Sequence, residues 1–152
     1  MAEGQIRTTE VLHLLLVTSD DQHEMSIRSI LDGAFRAMYR VSNYNEALHV
    51  LDCLNPSVVL VEADLPTWNW KRLLDRVSNL QRSPDVIVFS RLADVRLWAE
   101  VLTFGGYDLL QVPFEAEEVL RTISMAHGAY ARKLSVCAPP PHIVAARTAT
   151  AA

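Results

Sequence analysis

The chain has 152 residues, half of them apolar, and carries 14 Lys and Arg against 18 Asp and Glu, a net charge of −4 with histidine neutral. That length suits one domain with an ordinary core, and the charge balance excludes the basic footprint that binding nucleic acid over the whole surface needs. No run reaches the roughly 18 apolar residues that cross a bilayer. The opening "MAEGQIRTTEVLHLLLV" has acids before its short apolar patch and no small-residue cleavage site after it, so a cytoplasmic protein without a membrane partner is expected.

Residues 11–18, "VLHLLLVT", form an apolar run of strand length that ends at "SDD", where Ser19 or Asp20 can cap a helix. Met25, Ile27, Ile30, Leu31 and Ala34 then make a helical stripe. "AMYRV" (37–41) predicts a second strand. Asn43-x-x-Glu46, close to a capping box, opens a helix with Ala47, Leu48, Val50, Leu51 and Leu54 on one face. Asn55-Pro56 stops it before the third strand, "SVVLVE" (57–62). The next helix, about 69–80, turns Leu73, Leu74, Val77 and Leu80 to one side, and Ser83-Pro84 precedes a fourth strand over 85–90. Val95, Trp98, Val101 and Leu102 mark a fourth helix, which Gly105-Gly106 ends. "YDLLQ" (107–111) is the fifth strand, and after Pro113 a last helix directs Val119, Leu120, Ile123 and Ala126 inward.

Five strands alternating with five one-faced helices predict an α/β fold, a doubly wound five-stranded parallel sheet with helices on both faces. Reactive groups in such sheets gather at the carboxyl ends of the strands. Those positions are Thr18 to Asp21, Glu62 to Asp64, Ser90 and Arg91, and Gln111 to Pro113. Residues 1–10 read as an N-terminal extension, 11–133 as the domain, and 134–152, rich in Pro, Ala and Thr, as a flexible tail. Cys53 on a helical pattern and Cys137 in the tail have no metal-ligand spacing, so a buried thiol and an incidental one are expected.

The pieces "LLLVTSDD", "NEAL", "PSVVLVEADLP", "VIVFS", "GGYDLLQVPF" and "EEVLRTI" follow one another between Val11 and Lys133. In that order and spacing the chain resembles the receiver domain of bacterial response regulators. The resemblance implies a flavodoxin-like fold and a place in two-component or phosphorelay signal transduction. It also implies a site altered at most of its positions. Receivers end the first strand with an acid pair that holds Mg²⁺; the matching positions are Thr18 and Ser19 or, with a shift of one, Ser19 and Asp20. The phosphorylated aspartate stands four residues before the proline of "LP", and that position is Glu62. The family's Ser or Thr after strand four matches Ser90, its lysine before Pro-Phe is replaced by Val112, and its switch aromatic falls on Leu109.

Phosphoryl transfer to a carboxylate needs Mg²⁺ to bridge oxygens and neutralise developing charge. Thr18 and Ser19 are poor substitutes for two anionic ligands, and Val112 brings no charge. Glu62 carries its carboxylate about 1.5 Å further out than aspartate would, where errors near 1 Å cost about a hundredfold in rate. The expectation is a stand-alone, degenerate receiver with no catalytic residues and no cofactor, acting through a protein partner or as a homodimer. A phosphorylatable receiver using Asp20, Glu62 or Asp64, with Asp20 and Glu62 holding a metal, is the alternative. A small flavodoxin-like enzyme or nucleotide binder is the second, disfavoured because "TSDDQHEM" has no glycine with which to build a phosphate loop.

Individual residues keep more than one reading. Glu62 is either a solvated carboxylate at a strand end or a permanent imitation of the phosphorylated state, and Asp64 shares its face or forms a turn. Trp68 and Trp70, with Trp98, form a candidate interaction surface, against burial of the first two under their own loops and of Trp98 in a core stripe. His13, His23, His49 and His127 have no metal spacing and are assigned no chemistry.

Overall fold

The computed structural model describes residues 13–32, 37–65, 69–80 and 83–137, with side chains up to 132. The strands are β1 (His13–Val17), β2 (Ala37–Val41), β3 (Val58–Glu62), β4 (Asp85–Ser90) and β5 (Asp108–Gln111). They alternate with α1 (Asp21–Leu31), α2 (Tyr44–Leu54), α3 (Trp70–Ser78), α4 (Val95–Thr103) and α5 (Ala116–Cys137). Every strand pair is parallel, in the order β2-β1-β3-β4-β5, which bears out the doubly wound sheet. The strand order reverses between β1 and β3, and their tips form the crevice where such sheets place their sites.

Burial on both faces explains the unbroken apolar strands: all five residues of β3 are buried. Leu15, Val17, Val59, Val61, Val86 and Val88 pack under α2, α3 and α4, while Leu14, Leu16, Leu60, Ile87 and Phe89 pack under α1 and α5. Each fully buried Leu or Ile contributes about 1.5–3 kcal/mol.

Side chains satisfy first-turn backbone donors of all five helices, in α5 through Glu115, which accepts from the Glu118 N–H at 2.9 Å. Asp20 Oδ1 accepts from the Gln22 N–H at 2.8 Å, Asn43 from Glu46 at 2.9 Å, Asn69 from Lys71 at 2.8 Å and Asp94 from Leu97 at 2.8 Å. The Glu46 carboxylate reaches back to the Ser42 N–H at 3.2 Å, so the expected capping box closes one residue early. α4 ends in a Schellman turn. Gly105 has φ +93°, its N–H bonds to the Leu102 carbonyl at 3.1 Å, and the Gly106 N–H bonds to that of Val101 at 2.8 Å. A Cβ on Gly106 would stand 2.5 Å from Val101 Cγ1, so only glycine fits there.

Several expected core positions lie outside it. Met25, Leu54 and Leu120 are exposed. Met25 precedes the buried Ile27 by two residues, about 200° around the helix, and Leu120 lies about 100° from the buried Val119. Cys53 is exposed rather than buried, again about 200° from its buried neighbour Leu51. On α4 only Val101 is buried, so Trp98 is not a core residue. α5 continues to Cys137, past the residue at which the tail was expected to begin. Val11, Ala34, Trp68 and the remainder of the tail lie outside the described residues. No helix among the described residues is long and apolar enough to cross a membrane.

Candidate functional site

The register that sets Val17 beside Val61 brings the next residues of the two strands, Thr18 and Glu62, together at the switch point. Thr18 is fixed by its backbone, its N–H bonding to the Val41 carbonyl at 3.0 Å and its carbonyl accepting from Arg40 Nε at 3.0 Å. Arg40 Nη1 also pairs with Asp21 at 2.8 Å and Glu24 at 3.0 Å, which ties the start of α1 to the tip of β1. Its hydrogen bond with Asp21 raises the Arg40 pKa above its already high value, so this clamp stays charged.

Glu62 is only 6% exposed, which overturns the solvated-carboxylate reading. Its Oε1 accepts from the Thr18 hydroxyl at 2.6 Å. Thr18 Oγ1 accepts from the Asp20 N–H at 3.1 Å and stands 3.2 Å from His23 Nδ1. A hydroxyl has one proton, and here it goes to Glu62, so the contact with His23 requires the proton on Nδ1. The same nitrogen is 3.7 Å from Glu62 Oε1. The His23 ring packs edge-on against Phe89 and Phe114, with centroids 5.1 Å and 5.9 Å away, and its Nε2 lies 3.9 Å from Asp20 Oδ2. The result is a buried cluster in which the carboxylate meets a hydroxyl and stands beside an imidazole whose ring packs against two phenylalanines.

Asp64, two residues on, is exposed and turned elsewhere. Ser90 Oγ donates to its two oxygens at 2.9 Å and 3.1 Å, and the Arg91 N–H donates to Oδ2 at 3.1 Å. Ser90 therefore partners Asp64 rather than Glu62. Val112 is half-buried and packs with Phe114 on the α1/α5 face, joined to it through a cis Val112–Pro113 peptide. Leu109 is half-buried against the opposite face.

Asp20 is committed to capping α1 and Glu62 to Thr18, while Ser19 is exposed and neutral. Among the described residues no three His, Cys, Asp or Glu side chains are placed to hold one metal ion. Mg²⁺ is usually held by one or two carboxylates together with water, and here Asp20 and Glu62 are already engaged by the α1 N-terminus and by Thr18.

The tryptophans separate. Trp70 is buried, edge-on to Phe104 at 6.2 Å with Lys71 beside both rings, and cannot belong to an interaction surface. Its place on the inner line of α3 with Leu73, Leu74 and Val77 is the reason. Trp98 is 46% exposed. With Val95 and Leu109 it lines a groove of about 320 Å³ whose lining also includes Asp94, Gln111 and Glu118. His23 was missed in the sequence, although its spacing to Ile27 and Leu31, four and eight residues on, already sets it on the inner face of α1.

No protein-family model matches the chain. Among curated proteins it is 25% identical over 115 residues to the regulatory protein AtoC of Escherichia coli K12, covering 73% of this chain and 24% of AtoC. It is 24% identical over 117 residues to the chemotaxis protein CheY of Listeria monocytogenes, covering 76% of this chain and 98% of CheY. The chain spans between a quarter and a half of the length of the first three curated relatives it matches. The signal receiver domain of a putative Luxo repressor protein from Vibrio parahaemolyticus superimposes with a TM-score of 0.78 at 15% identity, over 86% of this chain and all of that one. In fold the chain is like signal receiver domains, and in sequence it is distantly similar to response regulators.

Proposed function

We propose that the chain is an atypical receiver-type module of two-component or phosphorelay signalling that works in the cytoplasm by binding a protein partner, without Mg²⁺-dependent aspartyl phosphorylation. The observation that carries this reading is the burial of Glu62 and its pairing with Thr18. The carboxylate at the phosphoacceptor position is buried and bonded to Thr18 at 2.6 Å, and Thr18 stands where a metal-binding acid is wanted. Attack on a phosphodonor requires that oxygen to leave a hydrogen bond to a charged group worth about 1.5–3 kcal/mol, with no cation to bridge the incoming phosphate. The groove beside Trp98, lined by apolar residues together with Asp94 and Glu118, offers a partner segment that carries apolar and basic side chains a place to dock.

Incubation with Mg²⁺ and acetyl phosphate, followed by intact-mass measurement, tests the reading. No acid-labile gain of one phosphoryl group is expected. A gain that disappears in Glu62→Ala or Asp64→Ala would establish the phosphorylatable alternative instead.

A further inference from the structure

The exposed carboxylate of Asp64 is the start of a chain of hydrogen bonds that crosses from the end of β3 to the root of α4. Ser90, buried at the tip of β4, donates to both Asp64 oxygens at 2.9 Å and 3.1 Å, and the Arg91 N–H donates to one of them at 3.1 Å. Ser90 Oγ then accepts from the Leu92 N–H at 2.8 Å. The single hydroxyl proton of Ser90 is thereby assigned to Asp64, and none is left for another anion arriving at the strand tips. The loop so held leads directly into the exposed apolar face of α4: Leu92 and Val95 are 76% and 78% exposed, with Trp98 one turn further on.

We propose that Asp64 is a built-in anion that occupies Ser90, the match to the family's Ser or Thr after strand four, and fixes the β4–α4 loop in one arrangement, so that the Leu92–Val95–Trp98 face is presented permanently rather than in response to a signal. Asp64 is thus a positioning residue acting through Ser90. The chemistry is that of a carboxylate collecting one hydroxyl and one amide donor, both fixed by the end of β4. The proposal rests on the reading of the chain as a module that takes no phosphoryl group.

Residue-resolved amide exchange and indole N–H resonances of the full chain test it, comparing wild type with Asp64→Ala, Asp64→Asn and Ser90→Ala. The Leu92 N–H bonds to Ser90 and not to Asp64, so its exchange reports action through the serine. In Asp64→Ala, exchange at Leu92 should rise about tenfold and the Trp98 resonance should move, while that of the buried Trp70 stays in place. Asp64→Asn, which keeps one acceptor oxygen, should restore most of the protection. The shifts of Trp98 in Asp64→Ala and Ser90→Ala should fail to add in the double variant. Unchanged Leu92 exchange and an unmoved Trp98 resonance in Asp64→Ala would overturn the proposal. Labelling of the wild type by acetyl phosphate would instead overturn the reading beneath it, and the two failures are read in separate experiments.

Discussion

α3 and α4 are each nine residues long and amphipathic, yet α3 buries Trp70, Leu73, Leu74 and Val77 while α4 buries Val101 alone. The contrast extends to the strand tips beside them. Glu62, at the tip of β3 on the α1/α5 face, is buried beside Thr18 and His23, whereas Asp64 and the β4–α4 loop face outward. α4 has two apolar lines. The inner one, Leu97 and Val101, meets the sheet, and the outer one, Val95, Trp98 and Leu102, meets solvent. An apolar stripe shows which face of a helix avoids water, and only the neighbouring elements decide whether anything covers it.

The largest expected effect lies on the closed side. Leu73→Ala should lower stability by about 2–5 kcal/mol in urea unfolding, since the cavity sits among fully buried side chains. Thr18→Val should cost about 1.5–3 kcal/mol, because the buried Glu62 carboxylate loses its shortest hydrogen bond, and most of that loss should vanish in a Glu62→Gln background. Asp94→Ala, which removes the cap of α4, should cost about 1 kcal/mol. Val95→Ser should change stability by less than about 0.5 kcal/mol and yet weaken capture of a partner at the Trp98 groove. A loss for Val95→Ser as large as that for Leu73→Ala would erase the distinction between the two helices.

Much of this fold was legible because two-sided burial leaves a compositional mark. "AMYRV" and "DVIVFS" match β2 and β4 to the residue, and Asn43 and Asp20 start their helices as their side chains predict. The site was legible only as a set of strand tips. That Thr18 and Glu62 lie side by side follows from parallel register, but the pairing of Ser90 with Asp64 depends on how a turn after β3 directs its side chain, and no periodicity encodes that. His23 was hidden for a different reason: a histidine on an apolar helical line reads as packing until the opposing strand brings a hydroxyl and a carboxylate to its ring nitrogen. Trp70 and Trp98 show the same limit, equal in type and opposite in exposure.

The bare backbone of Gly106 against the Val101 methyl places the attachment of α4 at its C-terminal turn, where the Schellman bonds also lie. Its N-terminal turn, with Val95 in solvent, is held instead by polar contacts, the Leu97 N–H bonding to Asp94 and the Leu92 N–H to Ser90. Mechanically the helix is a strut fixed at both ends, by apolar packing at Val101 and by hydrogen bonds at its first turn. Such an element opens at a lower free energy than the sheet it rests on. A bulkier residue at position 106 would press first on Val101, and through it on the core beneath α4, while the solvent-facing line of Val95 and Trp98 stands clear of the contact.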